Sequence, residues 1–147
     1  MLKETLTVDL VTTDLPGSDK DQIIRALLDL ICTTGKVKDP ALALEDVLAH
    51  ETGMSTGMEH GIAIPHAKTD AVDSLVACVG ISPKKIDFES LDRKPAQIFI
   101  MTLSPRDGTG PHVQFLAEIS RLLKDAKMRK QLLKAKSDEE LLHLLIS

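Results

Sequence analysis

Ser55-Thr56-Gly57-Met58-Glu59-His60-Gly61-Ile62-Ala63-Ile64-Pro65-His66 is the stretch on which the reading of this chain turns. Gly53, Gly57 and Gly61 recur at every fourth position, which lets the backbone turn sharply and approach a ligand closely. Ile62-Ala63-Ile64 reads as a short strand that ends at Pro65. The proline fixes its own φ and pushes Ile64 toward an extended conformation. His66 is therefore held at the end of a short, stiff strand beside a glycine-rich loop. A fixed imidazole in that setting suits nucleophilic work. When neutral, it can accept a phosphoryl group on one nitrogen if the other is held as a donor.

Upstream, Ser18-Asp19-Lys20-Asp21 reads as a capping box. It opens a helix with Ile23, Ile24, Leu27, Leu28 and Ile31 on its apolar face, ended by Gly35. Asp39-Pro40, a cap followed by a first-turn proline, opens a second helix through Leu44, Val47 and Leu48 to about Glu51. Before both, residues 5–11 alternate, with Leu6, Val8 and Leu10 on one side, and read as a half-buried strand or extended arm.

Downstream, Leu75–Ile81 is an unbroken apolar run, the pattern of a strand buried on both faces. Gln97–Leu103 reads as another, with a polar loop carrying Pro83 and Pro95 between them. The C-terminal third is helical. Pro111 stands in the first turn of a helix with a Phe115, Leu116, Ile119, Leu122, Leu123 stripe. A helix near Asp125 turns Met128, Leu132 and Leu133 inward, and a last one is capped by Ser137 and carries Leu141, Leu142, Leu144 and Leu145. Helices before and after buried strands predict an α/β layered domain.

Composition narrows the chemistry. The 147 residues suit one domain, residues 1–147, with a core of its own. Three Phe with no Tyr or Trp leave no stacking platform for nucleic acid, and a net charge of −4 lacks the positive balance of a phosphate-backbone binder. No apolar run reaches the ~20 residues of a membrane span, and the first residues lack a signal-peptide core. Cys32 and Cys78 lie in apolar surroundings and form no Cys-x-x-Cys pair, as reduced core residues of a cytoplasmic protein would. Neutral-pH chemistry therefore falls on five histidines, at 50, 60, 66, 112 and 143. His112 lies where a helix N-terminus favours anions and a neutral ring, so it can hold a phosphoryl oxygen as a donor.

Ser55–His66 resembles the active-site signature of the type 2 enzyme IIA domains of the bacterial phosphotransferase system, the fructose, mannitol and nitrogen-regulatory class. Pro111-His112-Val113-Gln114-Phe115-Leu116 resembles that family's second histidine motif, and the likeness runs over nearly the whole chain. It implies a mixed central β-sheet with helices on both faces. It also implies that His66 takes a phosphoryl group from an HPr-like phosphocarrier and passes it to a cysteine of an enzyme IIB. His112 would stabilise the phosphohistidine, and His50, Glu51 and Thr56 would belong to the phosphoryl pocket. No metal, nucleotide or other cofactor is implied, and Cys32 and Cys78 gain no role.

The sequence departs from the family pattern at two positions. The family often has Arg-Glu where this chain has His50-Glu51. Arginine is a permanent cation and histidine is mostly neutral at pH 7, so a looser or pH-dependent hold on the phosphoryl group is implied. His60 stands where small or amide residues are usual. A regulatory binding module, whose phosphorylation state controls a transporter or kinase partner, is the alternative function. A metal site built from His60, His66 and His112 is a third reading, weakened by a spacing that fits no familiar ligand motif.

Overall fold

The computed structural model describes residues 1–53 and 56–147. Ser55, the first residue of the quoted motif, lies outside the described residues, as does Met54. In chain order the elements are α1 (Leu2–Thr5), a single 3-10 turn (Val8–Leu10), β1 (Val11–Thr12), α2 (Lys20–Cys32), α3 (Pro40–Gly53), β2 (Ile62–Ala63) and β3 (His66–Lys68). Then come β4 (Val76–Ile86), β5 (Ala96–Ser104), α4 (Thr109–Leu123), α5 (Ala126–Leu133) and α6 (Asp138–Ile146).

The sheet is mixed. Its order is β1-β4-β5-β2, with β3 also on β5. β4 and β5 run antiparallel, and β1 lies parallel to β4. β2 and β3 follow one another along the same edge of β5, parallel to it: Ile62 sits opposite Ile98 and His66 opposite Thr102. They form one edge strand interrupted at Pro65, which has no N–H for the ladder. Its carbonyl still accepts from the Thr102 N–H at 3.2 Å. The proline thus breaks the strand without detaching it, and His66 restarts the pairing.

Both sheet faces are covered, as the α/β reading requires. Val76 and Cys78 of β4, with Phe99, Met101 and Leu103 of β5, pack with the buried stripes of α2 and α3. The intervening Ala77, Val79, Ile81, Ile98 and Ile100 pack with Phe115, Ile119, Leu132, Leu141 and Leu145. Successive strand residues point to opposite faces, so a sheet between two helical layers needs apolar residues at consecutive positions.

The helix starts follow the sequence with small shifts. The cap of α2 is Asp19, whose carboxylate accepts from the Gln22 N–H at 2.8 Å while the Gln22 side chain accepts from the Ser18 N–H at 2.8 Å. The box is real but built on Asp19 and Gln22. Asp39, Asp125 and Ser137 accept from Leu42, Lys127 and Glu140 N–H groups. All of Ile23, Ile24, Leu27, Leu28 and Ile31 are buried.

Four local expectations need correction. Residues 5–11 are not a strand: the chain makes a helical turn, then a 3-10 turn, and only Val11–Thr12 pair. Leu6 and Leu10 are buried, but Val8 is exposed; two turns in succession reproduce part of a period-2 pattern. Pro83 belongs to β4, where an irregularity between Ile81 and Ile86 absorbs it. Leu133 is exposed rather than inward, because α5 buries Leu132 alone and half-buries Met128. Cys32 is half-buried, whereas Cys78 is enclosed, and burial drives its thiol pKa far up.

Candidate functional site

His66 opens β3 at the interrupted edge. Its Nδ1 lies 2.7 Å from the Ile64 carbonyl oxygen. A carbonyl can only accept, so Nδ1 carries a proton, and in the neutral ring the lone pair is therefore on Nε2. Pro65 is what makes this contact: it holds Ile64 extended, so the carbonyl two residues back reaches the ring.

His112 reaches the same place from α4 and is buried. Its Nε2 is 3.1 Å from the hydroxyl of Thr102, the β5 residue opposite His66. One strand position therefore registers both histidines. The rings of His66 and His112 lie 5.6 Å apart between centroids, and the His50 ring lies 4.5 Å from that of His66. Burial, then His66, then Lys68 hold the His112 pKa below its ordinary value. Burial and then His66 do the same for His50, with Glu51 opposing. Both rings are kept toward the neutral form.

The three imidazoles line a cleft of about 410 Å³ together with Asp46, Ala67, Lys68 and Arg106. Lys68 donates to the Thr109 hydroxyl at 3.2 Å, and Arg106 lies 3.4 Å from the Asp70 carboxylate. The start of α4 has no side-chain cap, so first-turn N–H groups beside His112 add positive potential. The cleft suits an anion although the chain is acidic overall.

Glu51 and Thr56 meet each other and do not line this cleft. Neighbouring helix residues point apart, so His50 faces the cleft while Glu51 turns under the loop. Its buried carboxylate accepts from the Thr56 N–H at 2.9 Å and the Thr56 hydroxyl at 2.6 Å, and pairs with Lys20 at 2.7 Å. The Lys20 ammonium also lies 5.1 Å above the Phe88 ring. The glycine-rich loop is thus tied to α2 and α3. Gly57 is needed there: a Cβ would come within 2.6 Å of the Ser90 hydroxyl and 2.8 Å of the Phe88 carbonyl. His60, at φ 63°, lines a separate cleft with Met58, Leu91 and Lys124, so the His60, His66, His112 set is not assembled. His143 is exposed on α6.

The sequence reading passed over Asp46 and Thr102. Asp46 sits one turn before His50, a spacing that could have marked it. Thr102 lies inside an apolar strand, and nothing local marks it.

Residues 4–147 match the family described as phosphoenolpyruvate-dependent sugar phosphotransferase system, EIIA 2. The chain belongs to this family, whose members are phosphotransfer components. It is 39% identical over 132 residues to a fructose-specific EIIA component of the phosphotransferase system from Haloferax volcanii, covering 90% of this chain and 86% of the other. Its fold matches that of the nitrogen regulatory protein IIA-Ntr from Neisseria meningitidis, with TM-score 0.88, 24% identity and 97% of each chain covered. It also matches a structure of the Escherichia coli complex of enzyme IIA mannitol with phosphorylated enzyme IIB mannitol, with TM-score 0.82, 21% identity and 96% of each chain. Among the described residues no helix is long and apolar enough to cross a membrane.

Proposed function

We propose that His66 is the phosphoryl acceptor of a sugar-uptake chain. It takes the group from a phosphohistidine on an HPr-like carrier and gives it to a cysteine thiolate of an enzyme IIB. The observation that carries this reading is the 2.7 Å contact from Nδ1 to the Ile64 carbonyl, which leaves Nε2 as the nucleophile. Its lone pair attacks phosphorus, the P–N bond to the carrier breaks, and the carrier ring leaves as neutral imidazole. His66 keeps its Nδ1 proton and becomes a phosphorylated imidazolium. When a thiolate then attacks phosphorus, the P–Nε2 bond breaks and neutral His66 is regenerated. Such transfer rests on positioning and charge stabilisation.

His112 is the stabiliser in this reading. In the tautomer with the proton on Nδ1, the Thr102 hydroxyl donates to Nε2 and the Nδ1–H can serve a phosphoryl oxygen, and a depressed pKa suits a neutral donor. Glu51 and Thr56 act through the loop they fix, and His50 from the cleft wall. The similarity to a fructose-specific EIIA component supports the sugar-uptake assignment, and the structural neighbour held against a phosphorylated IIB supports the acceptor class.

Incubation with phosphoenolpyruvate, the general phosphotransferase enzyme and HPr is expected to place acid-labile phosphate on the wild type and none on His66→Ala. His112→Ala is expected to label but to transfer onward roughly 10²–10³-fold more slowly, the scale of losing one positioned donor. Equal labelling of His66→Ala would overturn the assignment. Labelling without transfer to any IIB thiol, together with phosphorylation-dependent binding of a transporter or kinase, would favour the regulatory alternative.

A further inference from the structure

Two features of the cleft are not used by a simple acceptor. One is Asp46, on α3 one turn before His50. Its Oδ2 is shielded from solvent and has no hydrogen-bond partner among the described residues, although it lies in the wall of a cleft suited to an anion. A buried carboxylate oxygen left without a donor is costly. The other is the His50 ring, the imidazole nearest His66 at 4.5 Å and exposed enough to exchange protons with water.

We propose that His50 takes up and keeps a proton when His66 is phosphorylated, donates a hydrogen bond as imidazolium to the phosphoryl group, and is oriented for this by Asp46. The proposal rests on His66 being the phosphoryl site. Phosphorylation at Nε2 adds at least one net negative charge beside His50, whether or not Nδ1 keeps its proton. Residues four apart on a helix are neighbours, so Asp46 can accept from one nitrogen of an imidazolium whose other nitrogen donates to the phosphoryl oxygen. A neutral ring has one N–H and cannot serve both.

The groups facing His50 come from several elements. Asp46 and Glu51 share α3, but the Glu51 carboxylate is occupied by Thr56 and Lys20. His66 and Lys68 come from β3, Arg106 from the turn after β5, and His112 from α4. Without a phosphoryl group this surrounding disfavours charge on His50, since burial and His66 hold its pKa down. With it, a phosphoryl oxygen joins the Asp46 carboxylate as a second acceptor for the ring. The phosphorylated protein then binds one more proton between the two His50 pKa values. Phosphorylation is therefore favoured as pH falls through that window, and the advantage disappears above it. Asp46 is a positioning residue and His50 a contact to the transferred group.

Phosphoramidate phosphorylates histidine without a carrier: the new P–Nε2 bond forms as the P–N bond to ammonia breaks. The test is histidine ring 15N NMR titration of full-length protein before and after this treatment, with 31P detection of the phosphohistidine. The His50 pKa is expected to rise by at least one pH unit, a tenfold change in proton affinity, and by less than half as much in Asp46→Asn. Hydrolysis of the phosphohistidine is expected to change with pH in the wild type relative to His50→Arg, whose charge is permanent. An unchanged His50 pKa would overturn the proposal, and an equal rise in Asp46→Asn would overturn the part given to Asp46. No phosphohistidine at His66 with phosphoramidate would overturn both this proposal and the acceptor reading. Phosphoramidate labelling without transfer from phospho-HPr would overturn the carrier assignment alone.

Discussion

At the residue scale, the site depends on ring orientation as much as on the presence of imidazoles. Thr102 is the test of this. Removing its hydroxyl with Thr102→Val leaves the β5 packing shape nearly intact but takes away the hydrogen-bond partner of His112 Nε2, so the ring loses that anchor. Onward phosphoryl transfer is expected to fall at least roughly tenfold, about the scale of one hydrogen bond. The 15N shifts of His112 should change while the fold is retained; unchanged shifts would show that Thr102 does not hold the ring. Glu51→Gln tests the loop tie. It weakens charge-assisted bonds to Lys20 and Thr56, each worth about 1.5–3 kcal/mol, and is expected to lower stability while leaving the His66 contact to Ile64 intact. His66 was legible because glycine and proline act on their own neighbourhood. Thr102 was not, because its role arises from being opposite His66 in the ladder and beneath α4, and neither relation is local in sequence.

At the element scale, caps and stripes specified the helices, and the weakest signals were the shortest. The α2 cap is expected to contribute about 1 kcal/mol, so Asp19→Ala should lower stability by that amount in chemical denaturation without changing the site. Leu27→Ala, in the buried stripe of the same helix, should cost about 2–5 kcal/mol. The stretch before β1 was misread because seven residues can match period 2 by chance, whereas the stripe of α2 spans several turns. Pro83 shows a related limit. Proline within a strand reads as a break, but an irregularity in the β4–β5 ladder lets the chain pass through it.

At the scale of the whole molecule, the depressed His112 pKa ties stability to pH. Between that lowered value and the ordinary one near 6.5, the unfolded chain binds more protons than the folded one. Stability is therefore full above about 6.5 and falls as pH drops below it. The melting temperature is expected to fall between about pH 7 and pH 5, and His112→Gln should remove part of that decrease. Circular dichroism is the suitable probe, since the chain has no Trp or Tyr to report by fluorescence. A melting curve equally pH-sensitive in His112→Gln would assign the effect to other groups.

The sequence by itself determined the layered α/β class, the helical stripes and the place of His66 at the end of a proline-stiffened edge strand. Each is written in short-range patterns: apolar periodicity, cap residues, and a glycine loop running into Ile64-Pro65-His66. Tertiary structure alone decided how the site is assembled. It brought His50, His66 and His112 to one cleft, turned Glu51 away from that cleft to hold Thr56, and left an Asp46 oxygen beside it without a partner among the described residues. The reason is physical. Local propensity follows from a residue and its neighbours in sequence, but the direction of a side chain across a cleft follows from strand register and helix rotation, which the packing of the whole domain sets.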